Sequence, residues 1–453
     1  MSRKKVSKSG VNSIVRGTTS GKWLTNLGAI AVLLMAIGLT AGGFGLAILF
    51  ILNPNAPAIL NRFLPSGMQI AFNPAGLYTL DQIKRQISQQ GYTSGEMLVM
   101  EPDGESPILI PLLKNGTACE PACQEISEFR LYQPDSLAGY YEIKQKVKII
   151  GPDEAFVLAP LQQETAQYKD SYRSLSLNKV TPLDSSVPGV WLNLTGDRTF
   201  GTTSVTYGEV FHYNPKTDRI QKMVEWTSPA GQSIYWQQVI PDATPELVVN
   251  QTVGIEPIFR VYQVKSQKSS LSPLVLSQIS LKVPAISQPN YQQALKLAKA
   301  GLWINALEEL DRHKLSAKTE AQVSLIKLHG DFARSQLQQN WASPKQQLLV
   351  YLVNGQWEKG LNLFESSLWE RAEILRTLRN DSGRLSGRIE TYLQVNPTNK
   401  YAKAWGAVII AAQDGKTEAI AWLASQPQTS VEDRKKINDL IELVNKAIAP
   451  SPN

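Results

Sequence analysis

The 453-residue chain is poor in the residues that build metal and nucleophile sites: it has two cysteines and three histidines. His212, His313 and His329 form no His-x3-His or His-Glu-x2-His pattern, so no metal or cofactor is expected. Cys119 and Cys123, in Gly116-Thr117-Ala118-Cys119-Glu120-Pro121-Ala122-Cys123, are four apart, which is neither zinc-ribbon nor thioredoxin spacing. In an oxidising compartment they read as a small disulfide across a proline-containing turn; two free thiols are the alternative. Gly-x-Ser-x-Gly is absent, since Gly231-Gln232-Ser233-Ile234-Tyr235 fails at its last position. Gly415-Lys416-Thr417 lacks the leading glycine of a phosphate loop, Ile410 standing in its place, and no strand run precedes it. No catalytic residue emerges, and an enzyme is not expected.

Acid is missing from the start of the chain, where the first carboxylate is Asp81. Arg3, Lys4, Lys5, Lys8, Arg16 and Lys22 precede it, and removing those six from the net +7 leaves about +1 for the rest. No basic stripe for phosphate contacts exists outside that tail, so nucleic acid is not an expected partner. Charge is also absent from Leu27 to Leu52, a 26-residue apolar run. At 1.5 Å per residue it would span roughly 39 Å, enough for a transmembrane helix, with Trp23 and Lys22 as interfacial anchors. A cleaved signal peptide is the alternative, with Ala56-Pro57-Ala58 as its site, but its apolar core is normally about 7–15 residues. The flanking positives place the tail in the cytoplasm. The expectation is a single-pass signal anchor in the inner (plasma) membrane with the bulk in the periplasm, or in the thylakoid membrane with the bulk in the lumen. Gly38 and Gly42, at helix-packing spacing, offer a homodimer contact.

What is present divides the chain further. Residues 1–26 form the tail, 27–52 the membrane helix and 53–75 a linker. Residues 76–154 read as a small α/β unit, with a helix over Leu77–Ile87 stopped at Gly91 and short strand runs joined by Pro-Asp-Gly and Lys-Asn-Gly turns. From 155 to 285 the period becomes two, and seven runs predict an antiparallel β-sandwich-like domain. Its aromatics, Trp191, Tyr207, Phe211, Tyr213, Trp226, Tyr235, Trp236, Phe259 and Tyr262, fill a core or stack on a glycan. Tyr235 and Trp236 are adjacent and must point opposite ways, so one of them marks a candidate ligand face. Glu209, Glu225 and Glu256 sit among these rings, and a hydrolase would need two of them facing one cleft. Asn115-Gly-Thr, Asn193-Leu-Thr and Asn250-Gln-Thr fit the glycosylation pattern.

From 289 to 449 the period is helical. Gly301-x-Trp303-x-x-Ala306-Leu307 and Gly355-x-Trp357-x-x-Gly360-Leu361 are one motif repeated after 54 residues, with a looser version at Asp414-Gly415-Lys416-Thr417-Glu418-Ala419-Ile420. Its chemistry suits a tight turn between antiparallel helices: glycine for the left-handed exit, an aromatic wedge, then a small residue for close approach. Asn396-Pro397 followed by Lys400-Tyr401-Ala402-Lys403-Ala404-Trp405, then Ala419–Leu423, resembles tetratricopeptide repeats, although the 34-residue period is missing. That resemblance implies a helical-hairpin solenoid that binds a protein or peptide, with no catalytic residues. The overall make-up also resembles single-pass membrane proteins of cyanobacteria. The fold class expected is therefore multidomain α+β: transmembrane helix, small α/β unit, sandwich and helical solenoid. The function expected is a membrane-anchored scaffold or assembly factor; an envelope glycan-binding module with the helices as stalk is the alternative.

Overall fold

The computed structural model describes residues 76–101, 106–116, 124–136, 139–161, 173–201, 203–229, 231–241, 243–267, 274–312, 317–367 and 369–448. Cys119, Cys123, His313, Gly38, Gly42 and the run 27–52 lie outside them. The chain divides into two compact units, Met1–Lys84 with Pro134–Glu142, and Arg85–Gln133 with Ile143–Asn453. In the first, β1 (Leu77–Tyr78) pairs antiparallel with the start of β6 (Tyr141–Lys148), and the Asp135 amide closes a turn on the Tyr140 carbonyl at 2.8 Å. Helix α1 (Leu80–Gln89) begins two residues inside the predicted span plus one for its cap. Thr79 and Gln82 exchange side chain-to-amide bonds as a capping box, and Gly91 takes a φ of +80° at the exit.

The second unit is a stack of antiparallel sheets followed by helices. Strands β2 (Thr93–Ser94), β3 (Leu98–Val99), β4 (Ile108–Asn115), β5 (Gln124–Pro134) and β6 form the first sheet, in the order β6-β5-β4-β2 with β3 also on β4. The second sheet has the order β10-β9-β8-β7, from β7 (Lys179–Pro182), β8 (Val190–Phe200), β9 (Thr203–Asn214) and β10 (Arg219–Ser228). The third runs β11-β12-β13-β14, from β11 (Tyr235–Gln237), β12 (Glu246–Asn250), β13 (Phe259–Ser266) and β14 (Leu274–Gln278).

The middle sheet is covered on both faces. Leu192, Leu194, Tyr207, Phe211 and Tyr213 share one core with Leu109, Ile126 and Phe129 of the first sheet, Phe129 meeting Phe211 edge-on at 5.4 Å. Trp191, Val210 and Trp226 on the opposite face share a core with Leu247, Val249 and Tyr262 of the third sheet. Double-sided burial explains why β9 is buried almost without interruption rather than alternately. The short helix α2 (Glu154–Leu158) is tied to β10, where the Thr227 hydroxyl donates to the Val157 carbonyl at 3.0 Å.

Among the described residues ten helices follow: α3 (Pro289–Lys299), α4 (Trp303–Leu310), α5 (Glu320–Leu337), α6 (Pro344–Val353), α7 (Trp357–Ser366), α8 (Arg371–Arg379), α9 (Arg384–Val395), α10 (Lys400–Gln413), α11 (Lys416–Ser425) and α12 (Val431–Ile448). Ser343, Asn399 and Ser430 cap α6, α10 and α12 by accepting from the amides of Gln346, Ala402 and Asp433. Helix α5 lays Leu325 against Val248, Phe259 and Val261 of the third sheet. Helix α10 is buried on nearly every side, touching α7, α8, α9, α11 and α12.

This architecture corrects the expected fold class. A small α/β unit and a seven-stranded sandwich are replaced by three antiparallel sheets, because the middle one packs against both neighbours and gains β7. The helices are not a one-dimensional solenoid, since α9 returns to contact α3 and α6, and α10 is a hub. Among the described residues no helix is long and apolar enough to cross a membrane. The two longest, α5 and α12, carry charges such as Lys327 and Asp331, or Arg434 and Glu442. The transmembrane helix, the signal anchor, the inner-membrane or thylakoid placement and the periplasmic bulk therefore have no support and are set aside.

Candidate functional site

The glycine turns read from the sequence have a common backbone form. Gly301 (φ +80°) and Gly355 (φ +66°) follow α3 and α6, and the next residue donates five back: Leu302 to Leu297 at 3.0 Å, Gln356 to Tyr351 at 2.8 Å. Gly415 (φ +101°) differs. It makes the five-back bond itself, to Ile410 at 3.1 Å, and serves as the N-cap of α11. The aromatic wedges also diverge. Trp303 stacks on His329 at 3.9 Å, whereas Trp357 is buried and meets Tyr392 edge-on at 5.6 Å. Ala306 is fully buried, and Gly360 leaves room for Trp405, whose Nε1 donates to the Trp357 carbonyl at 2.9 Å. These residues hold the array together, and Gly301 and Trp303 also border an open groove.

Tyr235 and Trp236 do point opposite ways. Trp236 turns inward to meet Trp191 edge-on at 5.0 Å, and Tyr235 is 38% exposed. Of the nine aromatics named in the β region, the other seven are buried. The three carboxylates do not share a cleft. Glu209 and Glu225 sit opposite each other on β9 and β10, and Lys222 Nζ bridges them at 3.0 and 2.7 Å. Burial raises the Glu209 pKa, against the opposing pull of Lys222. Asn193 and Asn250 are buried, Asn193 accepting from Trp226 Nε1 at 3.0 Å, so two of the three glycosylation patterns are inaccessible in the folded chain. Lys416 pairs with Glu442 of α12, which gives the Gly415-Lys416-Thr417 segment a structural partner.

Two grooves stand out in the helical region. The first, about 520 Å3, lies between α7, α10 and α12. Leu361, Ala404, Leu440 and Leu443 are its apolar lining, while Arg371, Lys400, Lys436, Glu365, Asp433 and Asp439 give a rim of both signs. The turn between α7 and α8 carries Trp369, which is 100% exposed. Helix α8 begins at Arg371 and leaves this ring in the turn. A signal for this groove existed: α12 carries a broad apolar stripe, with Ile437, Ile441 and Val444 buried and Leu440 and Leu443 partly buried against the same core.

The second groove, also about 520 Å3, lies where the turn after β12 meets α3 and α9. That turn passes through Gly254 (φ +58°) to present Glu256. The carboxylate accepts from Arg388 at 2.8 and 3.4 Å and from Arg384, and Arg388 Nε donates to the Ala300 carbonyl at 2.9 Å. Arg384 and Arg388 are four apart and so share one helix face. Their link to Glu256, 128 and 132 residues away, has no sequence signature.

No family model and no curated protein matches this chain.

Proposed function

We propose that this chain is a non-enzymatic scaffold whose helical array seats a segment of another protein. The observation that carries this reading is the α7–α10–α12 groove, an apolar floor with charges of both signs on its rim and a fully exposed Trp369 in the adjoining turn. An amphipathic helix fits such a groove: its apolar stripe would cover Leu361, Leu440 and Leu443, and its polar flanks would meet the rim. A large aromatic in the open is the kind of residue that anchors an interface once covered. The resemblance of α10 and α11 to tetratricopeptide repeats points the same way. The glycan-binding alternative has less behind it, because Tyr235 is the one exposed ring among the nine β-region aromatics.

A photo-crosslinking side chain at Leu440, compared with one at the exposed Lys435, tests the proposal. A discrete adduct from Leu440 alone, lost on Trp369→Ala or Leu443→Lys, is the expected result. Equal adducts from both positions, or an adduct indifferent to Leu443→Lys, would sink it.

A further inference from the structure

The turn between β12 and β13 is bonded on one side to the sheets and on the other to the helices, and the two sides differ in chemistry. At its base the Gln251 amide donates to the Ile258 carbonyl at 2.7 Å, and the Gln251 side chain donates to the Thr227 carbonyl of β10 at 3.1 Å. Amide groups do not titrate, so these bonds are indifferent to pH. On the helix side the Glu256 carboxylate accepts from Arg384 and Arg388 of α9. Three residues on, the Phe259 amide donates to His329 Nε2 of α5 at 2.8 Å. The first tie needs an ionised carboxylate and the second a neutral imidazole, so one turn meets the helices through two proton-sensitive bonds. Ile255 adds an apolar contact to the helical core.

Facing Glu256 are the two arginines and Lys299 of α3, whose Nζ donates to the Lys282 carbonyl at 3.3 Å. Around His329, Trp303 of α4 stacks on the ring and the Leu325 carbonyl of α5 takes its Nδ1–H. Of the charges on the packed elements, Lys327 and Asp331 of α5 and Glu308 of α4 are exposed, Glu309 of α4 pairs with Arg312, and Arg260 of β13 donates to Gln251. Burial, rather than any of these charges, holds the His329 pKa down, to about 4. From the two ties on one turn, we infer that the β12–β13 turn is an acid-released latch: a proton at Glu256 and another at His329 free it from the helices while its base stays on β10. A protonated Nε2 would point an N–H at the Phe259 N–H, and a neutral Glu256 carboxyl would leave Arg388 without its counter-charge. Once open, the turn withdraws the wall that Glu256, Pro257 and Ile258 give the second groove, which then widens beside Trp303.

Hydrogen exchange of the full chain, read by mass spectrometry with labelling times scaled to the intrinsic rate, is compared at about pH 7 and about pH 4. The segment 253–259 is expected to lose protection ~10-fold or more in acid, while β9 and α10 keep theirs. Glu256→Gln copies the protonated acid and is expected to loosen the segment already at neutral pH. His329→Gln supplies an amide oxygen that accepts from Phe259 at any pH, and its segment is expected to stay several-fold better protected in acid than the parent's. A parent segment equally protected at both pH values, or one that opens only together with β9 and α10, would overturn the latch without recourse to either variant. A His329→Gln chain that loosens in acid as fully as the parent would overturn it too. The Leu440 adduct is collected at neutral pH with the latch closed, so the two readings fail separately.

Discussion

At Gly355 the backbone stands at φ +66°, and a Cβ there would lie 2.1 Å from Asn305 Oδ1. Gly383 has a similar φ of +86°, but a Cβ there would have the Ser386 hydroxyl at 3.7 Å as its near neighbour. Gly383→Ala should therefore cost about 1 kcal/mol from backbone strain, and Gly355→Ala clearly more, as urea denaturation would show. His329 gives a second test. Its Nε2 accepts from the Phe259 amide at 2.8 Å, Nδ1 donates to the Leu325 carbonyl at 2.8 Å, and burial pushes its pKa down to about 4. The folded chain thus holds a neutral imidazole that the unfolded chain protonates near pH 6.5. The stabilisation is complete above that pH and is lost as pH falls toward 4, by about 3 kcal/mol. His329→Gln should flatten the stability–pH slope across that window. The glycine turns were legible because every bond in them is local. The role of His329 was not, because Phe259 is 70 residues away and no spacing announces it.

Among the elements, α10 makes the most demanding contacts. Trp405 is fully buried, meets Phe364 at 5.6 Å and bonds the Trp357 carbonyl, so Trp405→Ala should cost about 3–5 kcal/mol. Trp405→Phe keeps much of the volume and should lose less, the difference reporting the lost N–H donor and the remaining gap. Lys403 is buried on the same helix, with Nζ donating to the Pro427 carbonyl at 2.6 Å and to Thr429 Oγ1 at 3.0 Å, and burial lowers its pKa. Lys403→Ala strands that carbonyl and should destabilise by about 1–3 kcal/mol, detectable as a lower urea midpoint. Helix positions were readable from the 3.6-residue period and from caps such as Ser430. Sheet stacking was not, since a strand buried on both faces, as in β9, loses the alternation that tells inside from outside. The four-residue β7 has too little sequence to carry any period at all.

Across the larger unit, contacts of unlike chemistry join the sheets to the helices. One is apolar, Phe259 against Phe332 at 5.4 Å and Leu325 against the third sheet. Another is the Glu256–Arg388 pair, largely withdrawn from water. Removing Glu256 strands the buried Arg388, while removing Arg388 leaves Glu256 with Arg384 alone, so both variants should destabilise and Glu256→Ala the more. A double-mutant cycle should return a coupling of about 3 kcal/mol, the double variant being far less damaged than the sum of its parents. A cycle with no coupling would mean that the pair leaves stability untouched.

The middle sheet has a practical corollary for anyone dissecting the polypeptide. Because Phe211 and Tyr213 press on one neighbour while Trp191 and Trp226 press on the other, a fragment starting near residue 155 would bare a complete oily surface to solvent. Such a truncation should aggregate on expression, whereas one cut beyond β14 spares all three sheets and loses the smaller cover supplied by α5 together with the arginine partners of Glu256.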